Sequence, residues 1–218
     1  MPKITSVEPQ KKNPKRFNVF LDDAFAFGAD EDLVVEHRLI VGKILEPDQV
    51  ERLLFEAEVG KLMERMYRLF NIRQRSEKEI RDYLRNLSYK RKIKDQEEIS
   101  EAAIELLINK LKQKKLLNDE EFARSWVESR KKKKGSRVLK QELFQKGISK
   151  EIIEEVISDQ VTGYSGQEIA ERLLEKKMRV WKNLPLLEFK KKAYEFLMRR
   201  GFEYETVKSV VEKIIGLR

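Results

Sequence analysis

The sequence predicts a mainly α protein: tandem three-helix repeats in an elongated, curved array, led by a small N-terminal β-hairpin or three-stranded β element. Three observations predict it. Apolar residues keep helical spacing through most of the chain after residue 46. Helix-capping and helix-ending residues recur between those stretches. The chain also matches itself when displaced by 59 and by 54 residues.

The first 28 residues read differently from the rest. Ile4 to Val7 is a short strand, and Lys11 to Lys15 a polar, proline-containing turn. Arg16 to Leu21 is a second strand, with Phe17, Val19 and Leu21 on one face. Asp22-Asp23 makes a tight turn, and Ala24 to Phe27 returns with Phe25 and Phe27 alternating. So small a sheet needs a partner to pack on, and a helix follows. Ala29 to Val41 carries it, with Leu33, Val34 and His37 inward and Asp30, Glu31 and Asp32 in a first turn that suits acidic residues. A longer helix opens at Pro47. Val50, Leu53, Leu54, Ala57, Leu62, Met66, Leu69 and Phe70 keep its spacing, for a length of about 35 Å. It is expected to be a spine between the sheet and the repeats.

Ser76 with Glu79 forms a capping box ahead of Ile80, Tyr83, Leu84 and Leu87. Residues 88–95 read as a polar loop, and the next helix carries Ile99, Ala103, Leu106, Leu107 and Leu111. The clearest unit runs from Leu116. Asn118 caps a helix, Glu121 answers it, and Phe122, Ala123, Trp126 and Val127 share a face. Lys131 to Lys134 follow, Gly135 breaks the helix, Ser136 caps the next and Gly147 ends it. A third helix holds Ile152, Ile153, Val156 and Ile157. Beyond it, Tyr164 to Met178, Leu186 to Arg200 (ended by Gly201) and Glu205 to Ile215 read as three further helices.

The displacement by 59 pairs Met63, Tyr67, Ile80 and Leu84 with Phe122, Trp126, Leu139 and Leu143. The displacement by 54 pairs Leu139, Leu143 and Lys146-Gly147 with Ala193, Leu197 and Arg200-Gly201, and Ile153, Val156 and Ile157 with Val207, Val210 and Val211. Helical repeats of this kind bury little surface alone and stack on their neighbours. The expected divisions are 1–46 for the β element and short helix, 47–112 for the spine and first repeat, 113–162 for the second repeat and 163–218 for the third.

Composition bounds the chemistry. The 218 residues hold 47 Lys+Arg against 38 Asp+Glu, a net charge of +9, and no cysteine. Disulfides, thiolate metal sites and cysteine nucleophiles are thereby excluded. The basic balance favours an acidic partner, either nucleic acid or an acidic protein surface. No apolar run approaches the roughly 18 residues of a membrane span, and the N-terminus lacks the apolar core of a signal peptide. A cytoplasmic monomer without membrane attachment is expected. His37 is the only histidine, and the carboxylates stand mostly beside Lys or Arg at helix-surface spacing. Asp119-Glu120-Glu121 is a charged first helical turn rather than a metal cluster. Without a Gly-rich phosphate loop or a nucleophile elbow, no catalytic residue, cofactor or metal is expected, and an enzyme is disfavoured.

The candidate contact residues are basic and sit at turns between helices: Arg73 and Arg75, with Lys90, Arg91, Lys92 and Lys94 beyond them, and Arg130, Lys131, Lys132, Lys133, Lys134 and Arg137. They are either phosphate or partner contacts, or solvated helix ends that suit the helix dipole. Phe122 and Trp126 are either core residues or stacking aromatics.

The run Leu117 to Ala123 with Trp126-Val127 and Arg130, and the spacing of Gly135, Leu143 and Lys146-Gly147-Ile148, resemble the RecX family, regulatory proteins of the bacterial recombinase RecA. Arg75-Ser76-Glu77-Lys78-Glu79-Ile80 is similar to the family's first-repeat motif, with Leu84 at its leucine, and Leu45 to Asp48 is similar to its longer Gram-positive members. The resemblance implies non-catalytic tandem three-helix repeats. It implies binding to the RecA–single-stranded-DNA filament, with suppression of strand exchange and ATP hydrolysis, and weak, nonspecific affinity for single-stranded DNA itself. Asp119, Phe122, Ala123, Trp126 and Gly147 would then build the fold, leaving the basic turns as contacts. The alternative is a sequence-nonspecific DNA-binding protein acting without a recombinase.

Overall fold

The computed structural model describes residues 1–11, 13–161 and 166–216, so Lys12 of the expected polar turn and Tyr164 of the expected helix lie outside the described residues. It is mainly helical behind a three-stranded antiparallel sheet, in the order β1 (Ile4–Gln10), β2 (Asn13–Leu21) and β3 (Ala24–Asp30). Helices α1 (Glu31–Glu36), α2 (Pro47–Phe70), α3 (Glu77–Lys92) and α4 (Glu101–Gln113) follow, then α5 (Asp119–Arg130), α6 (Ser136–Gln145), α7 (Lys150–Val161), α8 (Gly166–Met178), α9 (Leu186–Arg199) and α10 (Tyr204–Gly216). The chain divides into two compact units. One holds residues 1–74 and 80–117, the other residues 75–79 and 118–218.

In the first unit the sheet is closed by the turn the two aspartates make. Asp22 and Asp23 both have positive φ, 47° and 65°, the left-handed pair that a tight two-residue hairpin demands. The pairing of β2 with β3 slips between Val19 and Phe20, so Val19 faces Phe27 but Phe20 faces Phe25. This irregularity undoes the expected alternation: Phe27 is buried while Phe25 is 60% exposed. Phe25 instead meets Phe20 edge-on at 6.0 Å. The strands also reach further into the polar segment than expected, to Gln10 and back to Asn13.

Arg16 is the buried cation of this layer. It donates to the Gly28 carbonyl at 2.7 Å and to Glu64 Oε1 of α2 at 3.1 Å. The helix expected over 29–41 is only α1. Arg38 (φ 45°) and Gly42 (φ 92°) take left-handed backbone that a helix cannot continue through. Leu33, Leu39 and Leu45 are nevertheless buried with Ile4, Val19, Phe27 and Ala29. His37 Nε2 lies 2.7 Å from Glu56, which Arg52 also contacts at 2.9 Å. Burial opposes the Glu56 charge, but the hydrogen bonds and positive charge of Arg52 and His37 outweigh it and hold the carboxyl below its ordinary 4.5.

Helix α2 is a spine within this unit. Its first half gives Leu53 and Ala57 to the core beneath the sheet. Its second half gives Val59, Leu62, Met63 and Met66 to a core shared with Ile80 and Leu84 of α3 and with Ala103, Ile104, Leu107, Ile108 and Leu111 of α4. The expected loop over 88–95 is helical as far as Lys92. Ser88 is buried and its hydroxyl accepts the Ile99 N–H at 3.0 Å, while Arg91 reaches Glu58 at 2.5 Å. The polar run is thus an ordered last helical turn, where Lys90, Arg91 and Lys92 suit the negative helix end.

In the second unit each triplet of helices surrounds its own core. Phe122, Ala123, Val127, Leu139, Leu143, Ile148, Ile153, Val156 and Ile157 fill the α5–α6–α7 core. Ala170, Leu174, Phe189, Ala193, Phe196, Leu197, Val207, Val210, Val211 and Ile214 are buried in the α8–α9–α10 core. Asn118 caps α5 as expected, accepting from the Glu120 and Glu121 N–H groups. The expected Ser136 cap is absent: Gly135 stands at the cap position without a side-chain bond and Ser136 is already helical.

Gly135 is there because another backbone approaches it. Its N–H donates to the Arg200 carbonyl at 2.8 Å, and the Arg137 N–H donates to the Gly201 carbonyl at 3.2 Å. A Cβ on Gly135 would lie 2.3 Å from that same carbonyl oxygen. The junction recurs one repeat earlier. The Ser76 hydroxyl donates to the Lys146 carbonyl at 2.7 Å, and a Cβ on Gly147 would lie 2.6 Å from Lys78 Cβ. Within the second unit, the basic–glycine pairs that end α6 and α9 thus each pack against residues at a helix start, Ser76 and Lys78 in one case and Gly135 to Val138 in the other.

Candidate basic interface

The α5–α6 turn holds most of the candidate cations on an ordered frame. Lys131, Lys133 and Lys134 donate their backbone N–H groups to carbonyls of α5, and the Lys133 carbonyl accepts from Arg200 Nη1 at 2.9 Å. Gly135 then anchors to Arg200 as described. The turn can present charge without first paying to order its own backbone.

Its side chains do not all point outward. Arg130 stacks 3.5 Å above the Trp126 ring and hydrogen-bonds to Ser129. Trp126 is half-buried against Phe122, donates its indole N–H to Glu142 at 3.0 Å, and has the Lys146 ammonium 5.2 Å from its ring centre. Glu142 also takes the Lys134 ammonium as a close partner and lies 3.8 Å from Arg130. Lys131 pairs with Glu128 at 2.5 Å. Arg130, Lys131 and Lys134 are thus partly neutralised from within, and Trp126 is held as a packing residue rather than offered as a stacking platform. Lys132, Lys133 and Arg137 are exposed, and among the described residues their side chains meet no carboxylate.

The other candidates divide differently. Arg73 is exposed beyond α2 and donates to the Gln74 carbonyl at 2.8 Å, in the first unit. Arg75 belongs to the second unit and is half-buried, with its Nε inaccessible and without a hydrogen-bond partner. Arg91 is taken by Glu58. Lys92 is bonded to Glu98 at 2.7 Å, and that bond raises its pKa. Lys90 and Lys94 are exposed. Of the residues expected to build the fold, Asp119 accepts the Glu77 N–H at 2.8 Å, Phe122 and Ala123 are buried, and Gly147 has φ +80°.

The α8–α9 connection is a basic segment that the sequence-based candidates left out. Between Lys176 and Leu187 there are four cations, Lys176, Lys177, Arg179 and Lys182, and no carboxylate. Residues 83–94, 106–118 and 129–141 are as free of acid and hold at least as many cations, so the sequence alone does not single this connection out. A cleft of about 830 Å³ in the first unit mixes both signs, and its Arg16 and Arg91 are already paired with Glu64 and Glu58. No group of three or more His, Cys, Asp or Glu suited to a metal ion occurs among the described residues, and none of the described helices is long and apolar enough to cross a membrane.

Comparison with known proteins gives this architecture relatives. Residues 2–46 match the family model of the regulatory protein RecX N-terminal domain, residues 118–157 that of the RecX second three-helix domain, and residues 165–211 that of the RecX third three-helix domain. The regulatory protein RecX of Bacillus subtilis (strain 168) is 35% identical over 216 residues, covering 98% of this chain and 78% of the relative. That of Clostridium perfringens (strain 13 / Type A) is 30% identical over 216 residues, covering 98% and 97%. A crystal structure of regulatory protein RecX superposes with a TM-score of 0.73 at 27% identity, covering 97% of this chain and all of the other. RecX from Lactobacillus salivarius gives 0.58 at 25% identity, over 73% and 97%. With its N-terminal sheet and tandem three-helix repeats, the chain belongs to the RecX family of regulatory proteins.

Proposed function

We propose that the protein binds the filament that RecA forms on single-stranded DNA and inhibits its ATPase and recombinase activities, acting by occupancy and without catalysis. The likeness over 98% of the chain to proteins named regulatory protein RecX carries the reading. The site supports it: Lys132, Lys133 and Arg137 stand exposed on a turn whose backbone is already ordered, a geometry suited to a negatively charged surface. In this reading the repeats after residue 46 supply the binding surface, and the protein works as a cytoplasmic monomer in DNA repair, recombination and the SOS response.

Titrating the protein into RecA hydrolysing ATP on single-stranded DNA is the test. The expected result is saturating inhibition, with several-fold more protein needed when Lys132, Lys133 and Arg137 are changed to Gln. Unchanged hydrolysis at saturating protein would contradict the proposal. The exposed cations also suit a sequence-nonspecific DNA-binding protein acting without a recombinase. That reading gains if hydrolysis is untouched while the protein still binds single-stranded DNA in a salt-dependent way.

A further inference from the structure

We propose that the α8–α9 turn of the third repeat is a second phosphate-contacting site, built on Lys176, Arg179 and Lys182 and directed at the backbone of single-stranded nucleic acid. It deepens the reading above and rests on it for the identity of the nucleic acid. The turn joins the first and second helices of its repeat, the place that Arg130 to Lys134 occupy in the repeat before. There, three of the cations are met by Glu128 and Glu142. Here Lys176, Arg179 and Lys182 are exposed, and Lys176 and Arg179 meet no carboxylate among the described residues.

The frame beneath them is ordered. Val180 and Trp181 donate their N–H groups to the Lys177 carbonyl at 3.0 and 2.9 Å, and Leu184 donates to the Trp181 carbonyl at 3.1 Å. The Trp181 ring lies edge-on to Phe189 at 6.2 Å and to Phe196 at 5.9 Å, pinning the loop to the core. Lys177 is turned inward over the Trp181 and Phe196 rings, at 5.8 and 5.6 Å. With its one tryptophan committed to the core, the turn offers charge and no base-stacking platform. Its contact is therefore with phosphates and independent of sequence. A polyanion of uniform repeat matches cations placed at equivalent turns of successive repeats, which an acidic protein surface does not.

Helix-end electrostatics explain Lys176 and Lys177, both in the last turn of α8. They do not explain Arg179 or Lys182, which lie beyond it, and these make the segment more than a capped helix end.

The test is fluorescence anisotropy of a labelled oligo-dT strand over a series of salt concentrations. The wild type is compared with a Lys176→Gln/Arg179→Gln/Lys182→Gln variant and with a Lys132→Gln/Lys133→Gln/Arg137→Gln variant. Glutamine keeps the stems at exposed positions, and far-UV circular dichroism checks the fold. On single strands each phosphate contact adds about 0.7 to the slope of log affinity against log salt, so the α8–α9 variant should lose about 2 from that slope. A slope equal to wild type in that variant would overturn the site, as would displacement of the oligonucleotide by poly-glutamate as effective as by unlabelled oligo-dT at equal charge. RecA ATPase inhibition is measured on the same proteins. Wild-type inhibition with an unchanged slope rejects the site and keeps the filament reading, while a reduced slope without any inhibition by the wild type keeps the site and rejects the filament reading.

Discussion

Gly201→Ala is expected to destabilise the second unit by about 3 kcal/mol or more, lowering its thermal midpoint by roughly 10–20 °C. Two costs combine. Gly201 has φ +85°, which costs an L-residue about 1–2 kcal/mol. A Cβ there would also lie 2.5 Å from the Val138 backbone nitrogen and 2.6 Å from Val138 Cβ. Relief requires the two strands of backbone to part, and the bonds from Gly135 N–H to the Arg200 carbonyl and from Arg137 N–H to the Gly201 carbonyl then weaken, at about 1 kcal/mol each.

Other glycines separate the two costs. Gly42 shares the left-handed backbone, with φ +92°, but a Cβ there meets nothing within 4 Å, so Gly42→Ala should show the backbone cost alone. Gly135 has φ −80° yet would place its Cβ 2.3 Å from the Gly201 carbonyl oxygen, so Gly135→Ala should show the steric cost alone. At Gly166, opening α8, there is no neighbour within 4 Å and no left-handed backbone, and alanine should be neutral or slightly stabilising. Midpoints from chemical denaturation rank the set. If Gly201→Ala falls no lower than Gly166→Ala, the close approach of the two repeats is not part of the folded protein in solution.

Phe189→Ala should cost about 3–5 kcal/mol, the range for removing a fully buried aromatic ring. Phe189 is completely buried and is one of the two rings that meet Trp181 edge-on. Its loss opens a cavity in the α8–α9–α10 core and unseats one side of the indole. Beyond a lower unfolding midpoint, the expected sign is a red shift of Trp181 emission in the native baseline, assigned by its disappearance in Trp181→Phe. The charged α8–α9 turn would lose its frame at the same time. Leu187, the second residue of the same helix and 82% exposed, is the comparison: alanine there should leave midpoint and emission unchanged. Equal effects at both positions would show that Phe189 is not a core residue.

The periodicity of apolar residues was enough to place the helical cores, because a helix that buries one face must repeat that face at 3.6 residues. Leu139 and Leu143, Ala193 and Leu197, and Val207, Val210 and Val211 are buried where the internal repeat puts them. What escaped local pattern was set by contacts distant in sequence. The run Ser88 to Lys92 looks like a loop because it is polar, yet it is helical because Ser88 bonds to Ile99 and Arg91 reaches Glu58. Ser136 looks like a cap, but the Arg200 carbonyl approaches Gly135 and moves the helix start by one residue. The pairs Lys146-Gly147 and Arg200-Gly201 were visible as marks of a repeat, while their work as docking elements needed the partner backbone.

The candidate interface divides along the same line. Charge at the inter-helix turns is legible in composition. Which cations stay available is not, since that depends on where carboxylates of other helices reach. Glu142 takes Lys134 and draws on Arg130, and Glu128 takes Lys131, leaving Lys132, Lys133 and Arg137 outward. Trp126 packs on the face it shares with Phe122, Ala123 and Val127, as its own helix indicated, and only its bond to Glu142 of α6 lay beyond that helix.

The central claim is that the preferred partner is the recombinase filament rather than DNA alone. The most direct measurement is binding of a labelled form of this protein to RecA filaments assembled on single-stranded DNA with a non-hydrolysable ATP analogue, beside binding to the same DNA without RecA, at the same salt. The predicted result is at least tenfold tighter binding to the filament, a difference of about 1.4 kcal/mol. Affinity for the filament equal to or weaker than that for the naked strand would contradict it.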